Sequence, residues 1–105
     1  VKKFSALRIF DDGGGVMNLS VEDVVGDVMV VSQFTLHALT KKGNRPSWIK
    51  AAPEAVSRPE YERFVRLMSE RLGRPVATGS FGADMKIELT NDGPVTIWID
   101  SKNRE

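Results

Sequence analysis

Val28-Met29-Val30-Val31-Ser32-Gln33-Phe34-Thr35-Leu36 decides how this chain is read. The first four residues form an uninterrupted apolar run, which predicts a strand buried on both faces. Ser32 and Gln33 then put polar side chains where a core would hold only hydrocarbon. Burying such groups without partners is costly, so the segment looks wrong both for a core and for a surface. A central strand over Val28–Leu36 is expected to carry it.

Upstream, Leu7–Phe10 reads as a short strand, and Asp11-Asp12-Gly13-Gly14-Gly15 is a turn of residues that tolerate positive φ. A phosphate loop would need a following helix with a Lys-Ser/Thr pair, whereas Val16-Met17-Asn18-Leu19 continues the chain here. Ser20-Val21-Glu22-Asp23 resembles a capping box for one helical turn, and Gly26-Asp27 turns into the central strand. Val1-Lys2-Lys3-Phe4 lacks an initiator methionine and reads as the end of a helix. The chain is therefore expected to begin part-way into a domain.

Downstream, Thr40–Pro53 loses periodicity and becomes basic through Lys41, Lys42, Arg45 and Lys50. It reads either as a solvated connector or as a contact for RNA phosphates, with Trp48 stacking on a base or packing underneath. A helix follows, capped at Ser57 with Glu60 completing the box. Tyr61, Phe64, Val65, Met68 and Leu72 point inward, and Gly73 and Pro75 end it. Glu62, Arg63, Arg66, Glu70 and Arg71 form its solvated face, with Glu62 and Arg66 spaced to pair. The remainder reads as β: a short strand at Val76–Thr78, then a hairpin from Met85 to Asp100 whose tip is Asn91-Asp92-Gly93-Pro94-Val95-Thr96. Proline restricts the backbone on both sides of that tip, which makes it rigid. One helix among hairpin-length connections predicts a single mixed α/β domain over 1–105 with a largely antiparallel sheet and packed helices.

Composition excludes several chemistries. The chain has 105 residues, a net charge of +1, no cysteine and one histidine, His37. There is no disulfide framework, no thiolate nucleophile and no multi-histidine metal centre. A reducing cytoplasm fits. No stretch is long and apolar enough to span a membrane. Ser32, Thr35 and Thr96 are hydroxyls without an evident general base. His37 shares a face with Thr35 only if the strand stays regular, and otherwise reads as a surface residue at a strand end. The carboxylates Asp84, Glu88, Asp92 and Asp100 are scattered. A hydrolase built from these parts must rely on backbone groups or on its substrate.

Four motifs in order closely resemble the D-aminoacyl-tRNA deacylase family, also called D-tyrosyl-tRNA deacylases. They are Val31-Ser32-Gln33-Phe34-Thr35-Leu36, Lys41-Lys42-Gly43-Asn44-Arg45-Pro46-Ser47, Phe81-Gly82-Ala83-Asp84-Met85 and Asn91-Asp92-Gly93-Pro94-Val95-Thr96. The resemblance runs from about Leu7 to Ser101. It implies that family's fold, with its N-terminal strand carrying a Gln-Arg pair, a hairpin and a helix expected before Val1. It implies a cytoplasmic homodimer that hydrolyses the ester of D-aminoacyl-tRNA, and of glycine mischarged on tRNA, with no metal or organic cofactor. Gly93-Pro94 would be a Gly-cis-Pro dipeptide inserted into the partner subunit's site, where its rigid backbone excludes an L side chain. Ser32, Gln33, Phe34 and Thr35 would line the pocket, with Thr35 nearest the scissile ester and amides near Phe34 and Thr35 holding the oxyanion. Phe81 and Met85 would belong to the adenosine pocket, and Thr96 would support the Gly-Pro turn. Lys41, Lys42 and Arg45 would contact tRNA. Leu39 stands where that family usually has an acidic residue. The rival expectation is a catalytically silent tRNA- or nucleic-acid-binding module of the same fold.

Overall fold

Tyr61, Phe64, Val65, Met68 and Leu72 lie on the inward face of one long helix in the computed structural model, which describes residues 1–93 and 95–104. That helix, α2 (Glu54–Leu72), is preceded by α1 (Lys2–Ala6), β1 (Phe10–Asp11), β2 (Met17–Leu19) and β3 (Met29–Val30), and is followed by β4 (Ala77–Thr78). Met68 is 2% exposed and anchors the core. Phe64 meets Phe4 of α1 edge to face, with centroids 5.4 Å apart at 88°. The charged outer face is exposed as its periodicity predicts. Gly73 closes the helix in the left-handed region at φ 73°, where its amide donates to the Ser69 carbonyl at 2.9 Å.

Two details of α2 differ from the sequence reading. The helix starts a turn before Ser57, with Pro53 at the N-cap position. Ser57 sits inside, its hydroxyl donating to the Pro53 carbonyl at 3.1 Å. Pro59 normally marks a first turn, which is why the local pattern points to Ser57. Here it lies further in and removes one helical amide. The expected Glu62–Arg66 pair is replaced by Arg66–Glu70 at 4.0 Å, an exposed pairing with little energetic weight.

β1 and β2 pair antiparallel across the glycine turn, with Phe10 opposite Leu19. Asp12 holds this turn. Its Oδ1 accepts the amides of Gly14 at 2.8 Å and Val16 at 3.1 Å. Those bonds, that from Val16 first, hold the Asp12 carboxyl below its usual range. The Ser20 capping box is reciprocal: the Ser20 amide donates to Asp23 Oδ2 at 2.9 Å, and the Asp23 amide donates to Ser20 Oγ at 3.1 Å. Asp23 is likewise held low, chiefly by the Ser20 amide.

The mixed α/β class holds, and strand pairing refines it. β3 pairs with β4 in parallel, Met29 opposite Ala77 and Val30 opposite Thr78, with α2 in the crossover between them. Antiparallel pairing among the described residues is confined to β1–β2 and an isolated Leu39–Ser47 bridge. A strand that returns after a helix runs parallel to its predecessor, and hairpin-length logic misses this. The expected long strand Val28–Leu36 is also short. After Val31 the chain leaves the ladder and closes a 3-10 turn over Phe34–His37. Finally, the alternating segment Met85–Asp100 forms no strand among the described residues. Alternation encodes an extended chain with one apolar face, but a ladder needs a partner in register. Residues 97–100 instead run beside α1, sharing a small cavity with Lys3 and Leu7.

Candidate active site

The departure from the ladder at Val31 opens the main cavity, about 580 Å³. One wall is Ser32, Gln33 and Phe34; the facing wall is Phe81, Asp84 and Met85; the floor comes from α2 through Glu54, Ser57 and Tyr61. Tyr61 ties these parts together. Its hydroxyl donates to the Val30 carbonyl at 3.0 Å, and its ring lies 5.6 Å from that of Phe81. A buried tyrosine hydroxyl generally needs such an acceptor. One side chain therefore spans the end of β3 and the segment after β4.

Of the expected site residues, Ser32, Gln33, Phe34, Phe81 and Met85 share this cavity. Thr35 is half-buried in the 3-10 turn, where its Oγ1 accepts from Gln33 Nε2 at 2.5 Å. That bond organises the polar wall from within. Because bonds in a 3-10 turn run from residue i+3 back to i, the amides of Phe34 and Thr35 have no partner inside the turn. Gly93 and Thr96 are exposed and lie outside the cavity lining. Pro94, and with it the expected cis bond, lies outside the described residues. Lys41, Lys42 and Arg45 stand exposed on a loop closed by reciprocal Leu39–Ser47 backbone bonds of 2.7 and 3.0 Å. Trp48 packs edge-on against Phe34, with centroids 5.6 Å apart, so it supports the cavity wall from outside.

Sequence reasoning missed part of the lining. His37, read as a surface residue at a strand end, lines the cavity because the 3-10 turn replaces the strand. Glu54 and Ser57 belong to a helical turn that the capping pattern left in a loop. Tyr61 reads as core from its spacing; the available signal was its hydroxyl near a helix start. Among the described residues, no three His, Asp or Glu side chains gather closely enough to hold a metal ion.

The family described as D-Tyr-tRNA(Tyr) deacylase matches residues 1–100. The chain belongs to that family. It is 62% identical over 104 residues to the D-aminoacyl-tRNA deacylase of Bacteroides thetaiotaomicron, covering 99% of this chain and 69% of that one. It is 59% identical over 105 residues to the D-aminoacyl-tRNA deacylase of Chromobacterium violaceum, covering all of this chain and 70% of that one. A solved structure titled c-Myc DNA Unwinding Element Binding Protein superimposes with a TM-score of 0.83 at 36% identity, covering 95% of this chain and 68% of that one.

Proposed function

We propose that the cavity hydrolyses the ester linking a D-amino acid, or glycine, to the terminal ribose of tRNA. The observation that carries this reading is the meeting of Ser32, Gln33 and Phe34 with Phe81 and Met85 in one cavity of a chain 62% identical to a D-aminoacyl-tRNA deacylase. Water adds to the ester carbonyl, the bond to the ribose oxygen breaks, and free amino acid and tRNA leave. The uncommitted amides of Phe34 and Thr35 are the donors for the tetrahedral oxyanion. Thr35, already bonded to Gln33, orients the wall, and the substrate's 2′-hydroxyl assists the water. Phe81 and Met85 receive the adenosine. Lys41, Lys42 and Arg45 neutralise tRNA phosphates, in a salt-dependent manner.

In this reading the protein acts in the cytoplasm as a symmetric homodimer, and each subunit's Gly93-Pro94 enters the other's cavity as a wall against L side chains. Glycine, having no side chain, passes. No helix of the described residues is long and apolar enough to cross a membrane.

The decisive experiment follows release of amino acid from D- and L-tyrosyl-tRNA in parallel. Rapid release from the D-form alone is expected, with Pro94→Ala reducing the D-over-L preference. A second reading, a silent nucleic-acid-binding module, is favoured by the solved neighbour's title. Retention of tRNA with no release from either enantiomer would establish it instead.

A further inference from the structure

Arg58 lies one turn into α2, at the rim of the main cavity, and its guanidinium is held on two sides. Its central carbon sits 4.8 Å from the centroid of the Phe81 ring. Its Nε and Nη2 donate to Glu54 Oε1 at 2.9 and 2.6 Å. Both partners line the cavity, and the Arg58 side chain is 46% exposed. Among the described residues Nη1 makes no hydrogen bond. A stacked guanidinium with one edge engaged and another edge facing solvent is a preorganised donor for a planar or tetrahedral oxyanion. An ordinary helix-surface pair between residues four apart would need neither the stack nor a place at a cavity mouth.

Phe81 is thus a shared platform: one neighbour is Tyr61 at the cavity floor, the other is a cation at the rim. A nucleoside set against the cavity side of that ring with its base inward would carry its 5′-oxygen toward the rim. We propose that Arg58 binds the phosphate attached to the 5′-oxygen of the terminal adenosine, and so positions the ester of the substrate in the cavity. This rests on the assignment of the cavity to the aminoacyl-adenosine end of tRNA.

The test compares ligands that differ only in that phosphate. Binding of adenosine and of adenosine 5′-monophosphate is measured by calorimetry for the wild type, Arg58→Ala, Arg58→Lys and, as an exposed control on α2, Arg66→Ala. The same proteins are then assayed on the D-phenylalanyl ester of each compound. The wild type is expected to bind the monophosphate about tenfold more tightly than adenosine, in line with a charge-assisted hydrogen bond. Arg58→Ala should lose that preference and raise KM about tenfold more on the phosphorylated ester than on the unphosphorylated one. Arg58→Lys should keep part of the preference, because it retains the charge without the stacked fork, and Arg66→Ala should keep all of it. An equal loss on both esters in Arg58→Ala would reduce the residue to packing for Phe81 and overturn the proposal, as would an unchanged preference. Absence of any monophosphate preference in the wild type would overturn it too. If the preference is present and depends on Arg58 while no ester or aminoacyl-tRNA is hydrolysed, the phosphate site stands and the deacylase reading falls.

Discussion

Two polar interruptions of the chain look alike in sequence and differ in what becomes of their hydrogen-bonding groups. At Asp12–Gly15 the Asp12 carboxylate accepts the amides of Gly14 and Val16, and the Gly15 amide donates to the Asp12 carbonyl at 3.1 Å. Those donors are consumed locally. At Ser32–His37 the Gln33 and Thr35 side chains bond each other, the amides of Phe34 and Thr35 have no partner inside the turn, and Ser32, Gln33, Phe34 and His37 line a cavity. A polar segment that satisfies itself holds the backbone; one that leaves donors without local partners beside a cavity can hold a ligand.

The largest effect that would break this comparison is expected from the cavity's far wall. Phe81→Ala removes the ring that contacts both Tyr61 and Arg58. Base stacking of about 1–3 kcal/mol predicts a loss of roughly 10–100-fold in kcat/KM, read by deacylation of D-aminoacyl-tRNA. Thr35→Ala should cost less, within about tenfold, since it deletes one hydrogen bond of the wall rather than a reacting group. A 2′-deoxy terminal ribose should slow turnover more than that substitution does. Abolished turnover in Thr35→Ala, with the deoxy substrate reacting normally, would make the threonine a nucleophile.

Gly79→Ala tests the cavity more gently. A Cβ there would lie 2.5 Å from Met85 Sδ and 3.5 Å from Val31 Cγ1, so Met85 must move. Because the obstructing atom lies near the end of a flexible side chain, a stability cost of about 1 kcal/mol is expected. KM should rise, by about fivefold, as Met85 crowds the lining; chemical denaturation and steady-state kinetics together read both effects.

The smallest effect belongs to the self-satisfied turn. Asp12→Asn should leave kcat/KM unchanged. Asp12 and Asp23 both have folded pKa values below the ordinary 3.8. Their contribution to stability is therefore fully present above that value and is lost as pH falls through the lower folded values. Acid melting curves should show the wild type losing stability below about pH 3.8, with a shallower loss in Asp12→Asn. A change in activity at neutral pH in this variant would erase the distinction between the two turns.

Much of the cavity was legible in the sequence. Ser32 and Gln33 stand out because polar groups interrupt an apolar run, and Phe81 and Met85 because they belong to a motif of recognisable order. His37, Glu54, Ser57 and Arg58 were not legible. Their place depends on where a strand stops and a helix starts. Those boundaries shifted by a few residues when Val31 left the ladder and Pro59 was accepted inside α2.

By itself the sequence determined what depends on neighbours within about a turn: the inward stripe of α2, its glycine stop, the Ser20–Asp23 box and the Asp12-bonded turn. These are contacts between residues two to five apart, and local residue types suffice to specify them. Tertiary structure alone decided that β4 runs parallel to β3, that Tyr61 reaches Val30 across 31 residues, and that the Phe81 ring meets both Tyr61 and Arg58. Among the described residues it also left Met85–Asp100 without a ladder despite its alternation. The reason is that a pairing partner and a shared aromatic platform are properties of two segments together. Their free energy is set by burial and register across the fold, which no single segment's pattern contains.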